Sequence, residues 1–426
     1  MRDMRIKAEW HKLAKVMMHR PGTEIDYAML SPRPFLFERP YKTRVAIEEH
    51  QELEETLKQN GVHVEILSDF ILKKADADQS FRKALEKKVL SLVRFYGNIE
   101  SAGAAQLELE KNLSLLDSST LFKIMTLEPS IDLKLDVAEG LEYPTVYSNL
   151  PLANLYFMRD QQAVTPGGVL LGNMKRKQRM REPEITEFVL KEAFKEPKLH
   201  RISGNGIFEG GDYMPADEFC MIGIGSRTNL DGAMQALSSG YLHFDEVAIV
   251  ENPIYDFMEN LPKDPMVNMH LDTYFNIAGE GIAVGSYELM KKAKVKVYPG
   301  KLEDELKPME ETTLYEYLKA KNFNFIDLGV SEQLSYSSNF LTISDRRIVT
   351  VNVSNVLQRL LKEHVFPKNV ENEVIRDMER KGKENLFPNR KEIKDLGIEN
   401  IPVQLSELTG GYGGAHCMTA SLERYS

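Results

Sequence analysis

Apolar positions along the chain follow two rhythms. Near the start, Lys15 to His19 reads as a short apolar strand ended by the turn signal Pro21-Gly22. Ala46 to Gln59 carries apolar or small residues at 46, 47, 53 and 57, a helical spacing that Asn60-Gly61 stops. Val62 to Leu67 then alternates as a strand. From about Asp69 to Glu139 the pattern is helical: Leu85, Val89, Leu92, Val93 and Tyr96 form one stripe, Leu107 and Leu113 to Leu116 suggest a second helix, and Leu121 to Leu127 a third. Beyond Pro151, short strands alternate with helices. Strands are predicted over Gly168–Leu171, Met221–Ile224, Glu246–Val250, Gly281–Val284, Phe323–Leu328, Phe340–Ile343, Ile348–Val353 and Ile401–Leu405. A helix is predicted over Pro183–Phe194, with Pro183 in the first turn, where its missing N–H costs nothing. Leu357 to Asn389 is polar and helical. The whole reads as a mixed α/β chain with an early helical insertion.

Length and composition narrow the class. A chain of 426 residues with 42% hydrophobic and 28% charged residues has the make-up of a globular protein. Its 54 Lys+Arg against 64 Asp+Glu leave a net charge of -10, which argues against a basic nucleic-acid-binding surface and suits a small cationic substrate. No run approaches the length of a transmembrane helix, and no signal-peptide core follows the basic start, so neither membrane nor export is expected. Two cysteines, Cys220 and Cys417, make no disulfide framework and fit a reducing, cytoplasmic setting. Cys220, in Phe219-Cys220-Met221-Ile222, reads as a buried strand residue.

Four clusters carry candidate chemistry: Asn154-Leu-Tyr-Phe157-Met-Arg159-Asp160, Glu209-Gly-Gly-Asp212, His270-Leu-Asp272-Thr273, and Gly410-Gly-Tyr412-Gly-Gly-Ala-His416-Cys417. Glycines around Tyr412 suggest tight, positive-φ turns that present Cys417, and a loop cysteine with a histidine elsewhere is a candidate nucleophile. On a strand, His270 and Asp272 would share one face, with Leu271 behind them. His-x-Asp also occurs in metallohydrolases, but no second histidine stands nearby, so no metal is expected. Glu209 and Asp212 can hold a cation, orient a histidine or decorate a turn. Gly204-Asn205-Gly206 lacks the lysine and the spacing of a phosphate loop. Arg159-Asp160 alone reads equally well as a surface ion pair.

In this order, the clusters resemble the arginine deiminase branch of the guanidine-group modifying enzymes. The same resemblance runs through Met18-His19-Arg20-Pro21-Gly22-Thr23-Glu24, Glu49-His50, Gly61-Val62-His63-Val64, Met174 with Arg179 and Glu182, Ser226-Arg227-Thr228, Ser338-Asn339-Phe340-Leu341 and Leu396-Gly397-Ile398. It implies a five-fold pseudosymmetric α/β propeller, a single catalytic domain over 1–426 with a helical subdomain inserted at 70–140. It also implies hydrolysis of arginine to citrulline and ammonia without metal or cofactor. By resemblance, Cys417 is the nucleophile and forms a covalent amidino-thiol intermediate, His270 shuttles protons and Glu209 orients it. Asp160 and Asp272 clamp the guanidinium, whose planar donors match carboxylates. Asn154, Phe157, Arg179, Asp212 and Arg227 line the substrate site, with Asn154 and the two arginines at the amino-acid end. The implied partner is a small guanidine, with no nucleic acid and no membrane; a homo-oligomer stays open.

Two features depart from the family. Its members usually carry arginines in the loop before the nucleophile, in a form like Arg-Gly-Gly-Pro-Arg-Cys; Tyr412 and His416 stand there in this chain. The polar segment 357–389 is longer than the family's connection. Three alternatives therefore remain beside arginine hydrolysis: an amidinotransferase, a deiminase acting on agmatine or a methylarginine, and a non-catalytic arginine-binding protein.

Overall fold

The computed structural model describes residues 4–193, 197–254, 268–300 and 307–426. Five sheets among these residues share one pairing rule: two antiparallel strands, a helical crossover, then a third strand parallel to the second. Gln162–Thr165 and Gly168–Leu171 pair antiparallel, and Leu199–Arg201 returns parallel after the helix Glu182–Ala193. Tyr213–Ala216, Phe219–Ile224 and Glu246–Glu251 repeat this around the helix Leu230–Ser238. Phe275–Gly279, Ile282–Gly285 and Asn324–Asp327 do so again. Leu341–Ser344, Arg347–Val351 and Glu399–Val403 follow. The fifth sheet joins the two ends of the chain: Ala420–Tyr425 lies antiparallel to Lys12–Met18, which runs parallel to His63–Ile66.

The crossover helices begin where local chemistry dictates. Asn229, Ser286, Thr313 and Asn352 each cap a helix, accepting a backbone N–H through the side chain. The inner strands are buried on both faces: every residue of Gly168–Leu171 and of Phe275–Gly279 is buried. Gly168–Leu171 is a continuous apolar run of this kind and was legible in the sequence, whereas Phe275–Gly279, interrupted by Asn276, was not predicted. Phe194, the expected last residue of one helix, lies outside the described residues.

The block read as helical at 69–139 contains the helices Leu67–Ala77, Gln79–Leu90, Ile99–Asn112 and Ser118–Leu127. Two of its strands, Arg94–Tyr96 and Pro129–Asp136, pair with Leu141–Ser148 just beyond it in a sheet that the helical reading did not include. Tyr96, assigned to a helical stripe, is the last residue of the first of these strands. The segment 357–389 is largely helical, through Val353–Lys362 and Lys368–Lys381. No described helix is long and apolar enough to cross a membrane.

Candidate active site

The loops that enter the first strand of each repeating sheet converge on one site. Asp160 stands just before Gln162–Thr165, Asp212 before Tyr213–Ala216, Asp272 before Phe275–Gly279, Asn339 before Leu341–Ser344 and Cys417 before Ala420–Tyr425. One pairing rule, repeated, thus delivers a polar or nucleophilic residue from every unit to equivalent positions. Asn154, Phe157, Asp160, Arg179, Arg227, His270 and Cys417 line one cavity together with Leu36, Met269, Gly411 and Tyr412.

His270 lies at the centre of the acids. Its Nε2 is 2.8 Å from Glu209 Oε2, and its Nδ1 is 3.6 Å from Asp160 Oδ1. Burial alone would lower its pKa, but Asp160, Glu209 and Asp212 outweigh that and raise it to about 9. Glu209 also meets Arg227 Nη1 at 3.5 Å, and Arg227 with His270 holds its carboxyl well below the usual range against the effect of burial.

His270 and Asp272 do not share a strand face. Leu271–Thr273 is a 3-10 turn with His270 extended at its start, and Leu271 is fully buried. The turn is held by Asp212, whose Oδ1 accepts the Leu271 N–H at 2.9 Å and Asn252 Nδ2 at 2.8 Å. Asp212 therefore braces the histidine loop and does not line the cavity. Burial pushes its pKa up to about 6. Gly211 is required by close approach: a Cβ there would sit 2.8 Å from both Asp160 Oδ1 and His270 Nδ1.

The loop before Cys417 also departs from the expected glycine turns. The residue in the left-handed region is Tyr412, at φ 69°, and Gly410, Gly411, Gly413 and Gly414 are not among the positive-φ glycines. Those glycines serve contact: a Cβ on Gly413 would meet Cys417 Sγ at 3.2 Å, and one on Gly411 the Tyr156 hydroxyl at 2.1 Å. Asn339, to which the sequence reading assigned no role, holds the loop. Its Oδ1 accepts the N–H groups of Gly414 at 2.8 Å and Cys417 at 3.0 Å, and its Nδ2 donates to Cys417 Sγ at 3.0 Å. The position of Ser338-Asn339 just ahead of a predicted strand, like the other clusters, was the signal available for it.

The Cys417 thiol donates to Asp272 Oδ2 at 3.6 Å. Burial, then Asp272 and Asp160, push the thiol pKa well above its ordinary value. Asp160 Oδ2 receives Arg179 Nη1 at 2.6 Å, while Arg179 Nη2 also contacts Glu182 at 2.8 Å. Arg159 turns away from its neighbour Asp160 and pairs with Glu9 at 3.1 Å, so the two form no local pair. Asp160 Oδ1 and Asp272 Oδ1 are buried without a hydrogen-bond partner. Such oxygens are costly to leave unpaired, and a planar cation with several N–H groups is what satisfies them.

Asp160, Glu209 and His270 are also a set of potential metal donors, with ligand atoms within 4.8 Å of one another. Asp160 and Glu209 are already paired with Arg179 and Arg227, and Glu209 also engages His270 Nε2. Cys220 is fully buried in its strand, and burial raises its thiol pKa well above the ordinary value.

Comparison with known proteins follows the same line. Solved structures of low sequence identity share the fold. The amidinotransferase SxtG from Microseira wollei matches at a TM-score of 0.53 and 13% identity over 99% of this chain and 98% of that one. The N-terminal domain of the arginine dihydrolase ArgZ matches at 0.51 and 13%, over 96% and 98%. In sequence, the arginine deiminase of Limosilactobacillus reuteri is 28% identical over 98% of this chain and 97% of its own length. That of Halobacterium salinarum is 24% identical over 98% and 96%. The family model described as "Arginine deiminase" matches residues 33–424, a span that takes in every cluster gathered at the cavity, and the chain is therefore an enzyme of the arginine deiminase family.

Proposed function

We propose that the chain hydrolyses the guanidinium group of L-arginine to L-citrulline and ammonia through a covalent intermediate on Cys417. The observation that carries this reading is the pair of unsatisfied buried oxygens, Asp160 Oδ1 and Asp272 Oδ1, beside a buried thiol. A guanidinium bound between the two carboxylates neutralises the charges that hold the thiol protonated. The substrate thereby creates the thiolate that attacks it. Asp272 Oδ2, which accepts the thiol hydrogen bond, is the nearest acceptor for the departing proton.

Attack forms a C–S bond at the guanidinium carbon. The imidazolium of His270, oriented by Glu209, then protonates the leaving nitrogen, the C–N bond breaks and ammonia departs. The neutral imidazole next takes a proton from water and the hydroxide adds to the amidino carbon; the C–S bond then breaks, the new hydroxyl gives its proton to solvent to leave citrulline, and Asp272 returns its proton to the thiolate. Arg179, Arg227 and Asn154 hold the amino-acid end and Phe157 flanks the chain, while Asp212 acts through the histidine loop. The five repeated pairings support a five-fold α/β propeller as one catalytic domain, with 70–140 as an insertion. A cytoplasmic setting follows from the two unpaired cysteines.

The test is a citrulline and ammonia assay over arginine, agmatine, methylarginines and guanidinoacetate, with glycine added as an amidino acceptor in a parallel reaction. Arginine is expected to be preferred over agmatine by several orders of magnitude in kcat/KM, because agmatine lacks the α-carboxylate that Arg179, Arg227 and Asn154 are proposed to meet. Arg227→Ala should raise KM for arginine and narrow that gap. Comparable kcat/KM values for the two substrates would make the Tyr412-to-His416 loop the better guide to specificity. Ornithine formed without citrulline in the presence of glycine would establish the amidinotransferase.

Prolonged dialysis against a chelator is expected to leave the rate unchanged, because no step of this chemistry uses a metal. Loss of activity that zinc restores would overturn the assignment of Asp160, Glu209 and His270 as clamp and shuttle.

A further inference from the structure

We propose that Glu9 is a positioning residue for the reaction: through His416 it fixes the Asp272 carboxylate against the Cys417 thiol. This rests on the reading of Cys417 as the nucleophile. Glu9 lies far from the other site residues in sequence and belongs to none of the clusters.

The N-terminal segment runs along the strand Tyr213–Ala216, with Ala8 bridged to Ala216 and the Glu9 N–H donating to the Pro215 carbonyl at 3.1 Å. This carries the Glu9 side chain behind the nucleophile loop, where it is 1% exposed. Its two oxygens receive Arg159 Nη1 at 3.1 Å and Arg424 Nη2 at 3.0 Å. Arg424 is fixed in turn by donating to the carbonyls of His11 at 2.9 Å and Thr342 at 2.8 Å. Burial alone would raise the Glu9 pKa, but the two arginines hold the carboxyl well below the usual range.

The His416 ring stands between two carboxylates. Nδ1 is 2.7 Å from Asp272 Oδ2, and Nε2 is 3.7 Å from Glu9 Oε1. Flipping the ring would turn carbon toward both acids, so only one orientation puts nitrogen against each. Glu9, itself pinned by two arginines, faces Nε2 across 3.7 Å and favours that orientation, which turns Nδ1 toward Asp272 Oδ2. That oxygen also accepts the thiol, and its partner Oδ1 is left for the guanidinium. One contact therefore divides the two oxygens of Asp272 between nucleophile and substrate. Partners that orient metal-ligating residues typically change activity by about 10- to 100-fold, and an effect of comparable size is expected of this link.

The charged and titratable groups facing the thiol are Asp272 and Asp160, with His270 across the same cavity; those facing Asp272 are His416, His270 and Arg159. The experiment is carried out in a Cys220→Ser background, so that Cys417 is the one thiol read. It measures kcat and KM for arginine, melting temperature, and the pH midpoint for alkylation of Cys417 by iodoacetamide without substrate. Glu9→Gln keeps the shape and removes the charge. It is expected to lower kcat at least about tenfold with KM held within about threefold, and to raise the alkylation midpoint by about half a unit or more.

The sign separates two explanations. Loss of a negative charge acting directly through space would lower the midpoint. Loss of the N–H on Asp272, acting through His416, leaves that carboxylate to repel the thiolate and raises it. His416→Ala should behave like Glu9→Gln, and His416→Asn, whose amide can still donate to Asp272, should recover part of kcat. If Glu9→Gln does not fold, the two His416 variants carry the test. The proposal is overturned by folded variants with parental kcat and midpoint, by a lowered midpoint, or by activity lost only in step with melting temperature at an unchanged midpoint. A parent that fails to hydrolyse arginine while its variants still shift the midpoint would refute the proposed function and leave the Glu9–His416 link standing.

Discussion

Cys417→Ser is expected to lower citrulline formation from arginine by roughly four orders of magnitude or more while the fold persists. The structure makes the reason specific. The side chain at 417 is fully enclosed, with Asp272 Oδ2 3.6 Å from the sulfur and Asp160 lining the same cavity. A bound guanidinium can offset these charges enough for a thiol to ionise. A serine hydroxyl is far less acidic and receives from His270 no base, because that ring is already protonated near neutral pH. The serine side chain is smaller and can keep the Asn339 contact, so circular dichroism and melting temperature should stay close to the parent. Mass spectrometry of acid-quenched parent reactions should find the added amidino mass on the peptide containing Cys417. Retention of more than a few per cent of activity in Cys417→Ser would remove Cys417 from the mechanism. Cys220→Ser should leave turnover intact, since Cys220 sits inside the strand Phe219–Ile224 and does not line the cavity.

Asp160→Ala and Asp272→Ala carry the second large effect. An exposed ion pair is worth at most about 1 kcal/mol, whereas removing one partner of a buried pair costs about 3–5 kcal/mol. At about 1.4 kcal/mol per decade, the buried case corresponds to a fall of roughly 10²- to 10⁴-fold in kcat/KM. Both acids are fully enclosed, at 2% and 0% exposure, which places them in the buried case. Their consequences should differ. Asp160→Ala also strips a partner from Arg179, 2.6 Å away, and should raise KM as that cation moves. Asp272→Ala removes the acceptor of the thiol hydrogen bond and the partner of His416, and should act mainly on kcat. Steady-state kinetics with arginine, paired with calorimetric binding of arginine to each variant, separates these outcomes. Near-parental kinetics in either variant would place the clamp elsewhere.

Much of the site was legible because its chemistry is carried by local clusters. Asp160, Glu209, His270, Asp272 and Cys417 each stand in a short polar run; Asp160, His270 and Cys417 line the cavity, while Glu209 and Asp272 lie behind it, against His270 and Cys417. The reasons attached to them were less secure. His270 and Asp272 were placed on one strand face, yet they lie on a 3-10 turn held by Asp212. Strand periodicity could not foresee this, because the turn is set by hydrogen bonds from a residue 59 positions away. The glycines before Cys417 were read as positive-φ positions, but Tyr412 takes that conformation and the glycines make room for Phe157, Tyr156 and the sulfur itself. Close approach leaves no trace in a local pattern, since the atoms that enforce it come from other units.

The sequence by itself pointed to several buried strands and to most of the residue types gathered at the candidate site, but not to a role for Asn339 or Glu9, nor to the sheet at 94–148. Continuous apolar runs bounded by turn residues specify buried strands, and side-chain caps specify where the crossover helices start; both depend on residues a few positions apart. The tertiary structure decided partnership. Only folding pairs the last strand, Ala420–Tyr425, with the first, Lys12–Met18, and so sets the Cys417 loop beside the N-terminal segment. Only folding brings Asn339 to the sulfur of Cys417, and Glu9 to His416 across more than four hundred residues of chain. The sheet Arg94–Tyr96, Pro129–Asp136 and Leu141–Ser148 escaped the helical reading for the same reason: its first strand pairs with a segment beyond two intervening helices. Hydrophobic periodicity is a property of neighbours along the chain, whereas a charge network is a property of neighbours in space, and long-range packing alone selects which buried acid meets which base.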